Sequence, residues 1–276
     1  MTAVLITGCS SGIGRATALR LARRRDLTVY ATARRTETLA DLGAAGCQVL
    51  PLDVTDETSM TSAVRAVEAE HGAVGVLVNN AGYGEYGTVE ETALDRVREQ
   101  FETNVFGLAR LTQLTLPGMR AARRGRIINI SSMGGRFAFP TGGYYHASKY
   151  AVEAISDALR FEVAPFGIAV SVIEPGLIRT GFEEMAKKTL ASSDVPTGPY
   201  GSLTSSAREA TTKNYRSRLI AAEPDAVARV IERAMTTRRP RPRYVVTAAA
   251  RFMIHTRRLL GARAFDAFLR SQFRPA

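Results

Sequence analysis

The chain predicts an α/β protein, a doubly wound parallel sheet of about seven strands with helices on both faces. Three observations carry that expectation. Short β-rich runs alternate with longer helical stretches along nearly all of the 276 residues, the pattern of repeated strand–helix–strand units. Several of the β-rich runs are apolar throughout rather than alternating, as strands covered on both faces require. A glycine-rich turn follows the first run and opens the first helix. Hydrophobic residues at 45% and charged residues at 23% are ordinary for a globular protein and supply a core.

The elements follow in order. Residues 3–7 form the first expected strand, and residues 13–24 the first helix, with Ala16, Leu19 and Ala22 repeating on one face. Strands are expected at 28–33, 47–52 and 74–79, with a helix at 58–71 carrying Met60, Val64 and Val67. Residues 95–123 read as a helix through Phe101, Val105, Leu108 and Leu111, with a break expected near Pro117-Gly118. A strand at 126–131 precedes a helix at 147–163, which stops before Pro165 and Gly167. Strands at 168–174 and 244–247 complete the set. Residues 191–206, rich in Ser, Thr, Pro and Gly, read as a flexible loop. No internal repeat or linker divides the chain, so residues 1–276 are expected to form one domain.

Ligands of such sheets bind beyond the C-terminal strand ends. The turn at 7–14 reads Thr-Gly-Cys-Ser-Ser-Gly-Ile-Gly, with Gly8, Gly12 and Gly14 spaced G-x-x-x-G-x-G. Glycine permits the tight turn and brings backbone N–H groups to a phosphate, and the helix N-terminus favours negative charge. Gly8, Ser10, Ser11, Gly12, Ile13 and Gly14 are therefore expected to hold a dinucleotide. The second strand ends Ala33-Arg34-Arg35, with no acid to take a ribose 2′-hydroxyl. Arg34, with Ser11 donating beside it and Arg35 next to it, suits a 2′-phosphate, which points to NADP(H) over NAD(H). Asp53, followed by Val54, accepts from an adenine amino group or caps a turn. The small residues of Asn79-Asn80-Ala81-Gly82 let backbone pass close to a ribose, or form an ordinary turn.

Tyr145 and Lys149 stand four residues apart, a spacing that puts both on one face of a helix, with Cβ atoms about 5–6 Å apart. An ammonium beside a phenol favours phenolate. Lowering a Tyr pKa from about 10 by three units takes about 4 kcal/mol. One close cation in a partly desolvated site, helped by a second, supplies that order of energy. Lys149 is therefore expected to lower the pKa of Tyr145. The bland alternative is a lysine lying along an aromatic ring. Ser132 lies thirteen residues upstream of Tyr145. Tyr144 points elsewhere on the helix, and His146 reads as local packing.

Together these segments resemble the short-chain dehydrogenase/reductase family over about residues 3–182, most closely the branch of 17β-hydroxysteroid and retinol dehydrogenases. The resemblance rests on the glycine turn, Asn79-Asn80-Ala81-Gly82, Asn104, Ser131-Ser132, the Tyr145/Lys149 pair, and Pro175-Gly176 with Thr180. It implies a Rossmann-type fold, a variable lid over about 183–225 and an extension over about 248–276. It implies Tyr145 as general acid in carbonyl reduction and base in alcohol oxidation. Lys149 would depress its pKa and hold the nicotinamide ribose. Ser132, rather than Ser131, would polarise the substrate oxygen. Asn104 would stabilise a helix bend and hold a water reaching Lys149. Pro175, Gly176, Ile178 and Thr180 would position the carboxamide.

Substrate contact is expected from Ser132, Phe139, Tyr145 and Phe182. Phe137, Phe139 and Pro140 form an apolar wall, or pack as core, and Phe182, Met185 and Leu190 form a lid. A lipophilic alcohol, ketone or aldehyde is the expected small-molecule substrate, of steroid, retinoid, aliphatic or aromatic type. The alternatives are a 3-ketoacyl-thioester reductase and an NADP(H)-sensing protein without turnover. The family's usual dimer face implies a homodimer or homotetramer.

Net charge is +11, and residues 238–276 hold ten Arg against one acid, Asp266. A solvated surface, an anionic membrane and nucleic acid are the three readings, with nucleic acid not expected. Phe252, Leu259, Leu260, Phe265, Phe268 and Leu269, interleaved with Arg, suggest an amphipathic helix that touches an anionic membrane peripherally. Cys9 and Cys47 make no disulfide framework, and His71, His146 and His255 form no metal pattern. No metal is expected. No charged leader precedes the first strand and no apolar run reaches transmembrane length, so the expected location is cytoplasmic.

Overall fold

The computed structural model describes residues 1–182, 184, 189, 198–217 and 220–272. Seven strands form one sheet: β1 (Thr2–Ile6), β2 (Leu27–Ala33), β3 (Gln48–Pro51), β4 (Val76–Asn79), β5 (Gly125–Ile130), β6 (Ile168–Glu174) and β7 (Arg243–Val245). All pairings are parallel and the order is β3-β2-β1-β4-β5-β6-β7. Between β1 and β4 the chain changes direction across the sheet, which opens a crevice at the C-terminal strand ends.

The apolar runs are explained by β1. Val4 and Ile6 face one layer, with Ala18 and Leu21 of α1 (Gly12–Leu21) and Val227 and Ile231 of α8 (Pro224–Thr236). Ala3 and Leu5 face the other, with residues of α3 (Glu57–His71), α5 (Leu108–Ala121) and α6 (Gly143–Val163). Successive side chains of a strand point oppositely, so a strand with helices on both sides is apolar at every position. The remaining helices are α2 (Ala40–Ala44), α4 (Leu94–Phe101), α7 (Gly201–Arg216) and α9 (Ala248–Gln272).

Four expectations change. The helical stretch does not break at Pro117, which lies inside α5. Only one amide bond is lost there, and the carbonyl it would have reached belongs to exposed Gln113, where solvent can satisfy it. The irregularity lies earlier, in a π-helical turn over Glu102–Gly107 that holds buried Asn104. Second, α6 begins at Gly143, so Tyr145 sits inside the helix. Third, residues 201–206 open α7 instead of ending a loop; residues 191–197, Met185 and Leu190 lie outside the described residues.

Fourth, the C-terminal apolar residues divide. Phe265 is buried, and Phe268 and Leu269 pack around it with Phe137 and Phe139. Gly261, at φ 69°, kinks α9 so that its last turns reach this cluster. Phe252, Leu259 and Leu260 stay exposed. No helix among the described residues is long and apolar enough to cross a membrane.

Candidate active site

The crevice is a cavity of about 880 Å³ running from the glycine turn to the start of α6, ample for a cofactor and a small substrate. Its cofactor end is made largely of backbone. Gly8 and Gly12 take φ +70° and +59°, the left-handed region that glycine tolerates best. Gly14 does not line the cavity. It lies behind the turn, where an added Cβ would come 2.4 Å from the Gly8 carbonyl oxygen and 2.5 Å from Asn80 Nδ2. Asn80 latches the β1 and β4 ends together, its Nδ2 donating to the Thr7 and Gly8 carbonyls at 2.8 and 3.1 Å. Thr7 Oγ1 accepts from the Asn80 and Ala81 amides at 3.0 and 2.9 Å.

Gly8, Ser10, Ser11, Gly12, Ile13, Arg34, Asp53, Val54, Asn80, Ala81, Gly82, Pro175, Gly176, Ile178 and Thr180 line the cavity as expected. Arg35 does not. It is extended at φ −118°, so its side chain leaves the strand end opposite to Arg34. Asp53 Oδ1 accepts from the Thr55 amide and hydroxyl at 2.9 and 2.8 Å, the turn-capping alternative.

At the other end α6 places Tyr145 and Lys149 one turn apart, both buried. Lys149 Nζ donates to the Ile130 carbonyl at 3.0 Å and lies 6.0 Å from the Tyr145 ring centre. Ser132 is the side chain near the Tyr145 phenol that favours its ionised form. Ser132 Oγ also accepts from the Gly134 amide at 3.0 Å, in the tight turn Met133–Gly135. Ser131 Oγ has no hydrogen-bond partner among the described residues and faces Gly135, so Ser132 is the serine aimed at Tyr145. Tyr144 turns away, donating to the Val89 carbonyl at 3.1 Å.

The electrostatics within the protein oppose the sequence expectation. Burial pushes the Tyr145 phenol up to about 12, with Ser132 pulling it partly back. Burial also pushes Lys149 down to about 8, against the pull of Glu153. Desolvation disfavours both charged forms. The phenol therefore holds its proton at neutral pH.

Asn104 acts through others. Its Nδ2 donates to the Tyr83 carbonyl at 2.8 Å and to Ser148 Oγ at 3.1 Å, and its Oδ1 accepts from the Tyr83 amide at 3.0 Å. Ser148 Oγ in turn donates to the Tyr145 carbonyl at 2.7 Å. The π-helical turn thus ties the β4 loop to α6.

The substrate end is aromatic. Tyr86 and Phe182 pack on Tyr145 with ring centres 5.4 and 5.3 Å away. Phe139, His146 and Tyr215 of α7 also line the cavity. Phe137 belongs to the core beneath, and Pro140 lines a separate hollow with Thr88 and Val89. Sequence reasoning missed Tyr86 and Tyr215. Gly84 stands against the rings of Phe182 and Tyr86: an added Cβ would come 2.5 Å from Phe182 Cζ and 2.7 Å from Tyr86 Cε2. Nothing in the local sequence marks Tyr215. Among the described residues no cluster could hold a metal ion.

A family model described as short chain dehydrogenase matches residues 2–191. The chain belongs to this family of oxidoreductases. It is 44% identical over 181 residues to 3-ketodihydrosphingosine reductase of Bacteroides thetaiotaomicron, a match covering 66% of this chain and 65% of that protein. The chain thus spans just under two thirds of that relative's length. Over 194 residues it is 41% identical to estradiol 17-beta-dehydrogenase 1 of Rattus norvegicus, covering 66% of this chain and 56% of the relative. A short-chain dehydrogenase of Streptomyces avermitilis superposes with a TM-score of 0.80 at 35% identity, covering 98% of this chain and 95% of that one. Added Cβ atoms at Gly8 and Gly14 would collide with neighbouring backbone, so only glycine keeps this turn tight, with Gly8 and Gly12 lining the cavity at the start of α1, a surface that fits the phosphates of a dinucleotide.

Proposed function

We propose that the protein is an NADP(H)-dependent oxidoreductase acting on a lipophilic secondary alcohol or its ketone, with aldehydes as further candidates. The aromatic wall of Tyr86, Phe139 and Phe182 beside Tyr145 carries this reading. When bound, the cofactor supplies or takes the hydride. Backbone amides of the glycine turn and the α1 N-terminus hold its phosphates. Arg34 pairs with the 2′-phosphate, with Ser11 donating beside it. Lys149 holds the nicotinamide ribose, and Pro175, Gly176, Ile178 and Thr180 orient the carboxamide.

Ser132 donates to the substrate oxygen and fixes it against Tyr145. The buried phenol, protonated at neutral pH, gives its proton to that oxygen in reduction and takes it back in oxidation. Lys149 then has to stabilise phenolate together with the positive charge of the oxidised cofactor. Asn104 keeps the β4 loop and α6 in register, and a water held there would link Lys149 to solvent. A 3-keto lipid suits the apolar wall, in keeping with the name of the Bacteroides relative. The thioester alternative predicts turnover of acyl-thioesters with none of free ketones.

Two further proposals concern assembly. Exposed Phe106 and Phe161, on the long helices, suit a homo-oligomer. Exposed Phe252 and Leu259, among the arginines of α9, suit peripheral contact with anionic lipid, which co-sedimentation with anionic vesicles at low salt tests. The cofactor assignment is tested by kcat/KM for NADPH and NADH with one lipophilic ketone. NADPH should be preferred; a preference for NADH overturns it.

A further inference from the structure

Tyr86 follows Gly84-Glu85 in the loop after β4 and lines the aromatic end of the cavity. Its ring is enclosed on most sides. Tyr145 packs on it at a tilt of 32°, with ring centres 5.4 Å apart, and Phe182 meets it at 87°, with centres 6.1 Å apart. Glycine backbone lies along both ring edges: an added Cβ would come 2.7 Å from Cε2 at Gly84 and 3.2 Å from Cε1 at Gly142. The Tyr86 amide donates to Thr189 Oγ1 at 3.1 Å, which fixes the loop. The hydroxyl at the tip of the ring has no hydrogen-bond partner among the described residues. It is not sealed. Unlike the buried Ser131 hydroxyl it keeps open surface, on a residue that is only half-buried. With both edges of the ring covered, that open surface lies at the oxygen.

The surroundings of the oxygen agree with a place in the cavity. Burial pushes the Tyr86 phenol well above its ordinary range, and the phenols of Tyr145 and Tyr215, both on the cavity wall, add to the rise. The hydroxyl therefore keeps its proton at physiological pH and can both donate and accept. A hydroxyl taken from water into an apolar wall is disfavoured unless something pairs with it. Its neighbours Phe139 and Phe182 offer no polar atom. The reacting oxygen of a substrate belongs to Ser132 and Tyr145, so the partner of Tyr86 is a second polar atom of the same molecule.

We propose that Tyr86 is a specificity-determining residue whose hydroxyl hydrogen-bonds a second oxygen or nitrogen group of the substrate, a few bonds from the reacting carbon. The packing of the two phenol rings puts that group beside the reacting centre and not at the far end of the apolar chain. The inference rests on the carbonyl-oxidoreductase reading and names the polar feature expected on an otherwise lipophilic substrate.

Tyr86→Phe removes one oxygen and keeps the ring. The test assays a lipophilic ketone and three analogues, hydroxylated on the first, second or third carbon from the carbonyl, with NADPH in wild type and in this variant. A site that hydrogen-bonds a substrate hydroxyl rejects the analogue lacking it, so wild type should favour at least one hydroxyketone over the plain ketone by about tenfold or more in kcat/KM. Tyr86→Phe should bring that ratio near one. The ratio is the readout, because a structural role of the hydroxyl would lower all the ketones alike and leave the ratio standing, which overturns the proposal. A wild-type ratio near one at all three positions overturns it as well. Turnover of the plain ketone without any such preference leaves the reading beneath the proposal intact; turnover of none of the four ends both.

Discussion

The two ends of the cavity are built from different materials. The cofactor end is backbone: glycine turns at the ends of β1 and β4, latched by Asn80 and crossed by the segment after β6. The substrate end is side chain: Tyr86, Phe139, His146, Phe182 and Tyr215, drawn from loops and from α6 and α7. Backbone can approach a phosphate only where glycine occupies special positions, so the first end leaves a mark in the sequence. An aromatic wall can be assembled from any loop that reaches it, so the second end leaves little. The proposed catalytic pair, Tyr145 and Lys149, sits on the seam, on one turn of α6.

The seam gives the largest expected effect. Tyr145→Phe should cut kcat by about 10²–10⁴, the range for removing a general acid, while the Kd for NADPH changes little. Retained turnover would move the chemistry off Tyr145. Next comes the backbone end. Gly14→Ala puts a Cβ 2.4 Å from a carbonyl oxygen, and backbone cannot yield cheaply. Calorimetry should show NADPH affinity falling by about tenfold or more, with a loss of stability of about 1–3 kcal/mol.

His146 supplies a pH effect of similar size. Its folded pKa, near 4, lies below the unfolded value of 6.5. The unfolded chain therefore binds more protons in that window. The stability contribution is complete above pH 6.5 and is lost as pH falls toward 4. Chemical denaturation should show a loss of about 2–3 kcal/mol across the window that is absent in His146→Leu.

On the NADP(H) proposal, Arg34→Asp should narrow or reverse the proposed NADPH preference by about tenfold to a hundredfold, since it would replace the proposed 2′-phosphate partner with a repelling charge. The smallest effect sharpens the contrast best. Gly84→Ala also meets an atom at 2.5 Å, but that atom is the far end of Phe182, which can turn aside. NADPH affinity should hold while the ketone KM shifts a few-fold; a large loss of cofactor binding would erase the distinction between the two ends.

The same division explains what the sequence discloses. Apolar runs, set between helical stretches, place the strands within a residue or two, because a sheet with helices on both faces leaves them few other readings. The glycine turn, Arg34, Asn80, Ser132, Tyr145 and Lys149 come together as their spacing predicts. Arg35 was lost to strand alternation, which a paired-arginine reading ignores. Pro117 was overestimated because its missing bond falls on an exposed face. The direction of the Tyr145 shift was invisible, because burial is a property of the packed site and not of the i, i+4 spacing. Tyr215 belongs to the side-chain end and is brought in from seventy residues beyond Tyr145 by the tertiary fold alone.

The central claim is that aromatic side chains choose a lipophilic carbonyl while a separate backbone cradle holds the cofactor. The most direct measurement is kcat/KM with NADPH for a homologous series of ketones of increasing apolar length. Each added methylene should raise kcat/KM roughly threefold to fourfold until the wall is filled, from about 0.8 kcal/mol per buried group, with NADPH affinity constant. A flat series, or turnover confined to acyl-thioesters, would contradict the claim.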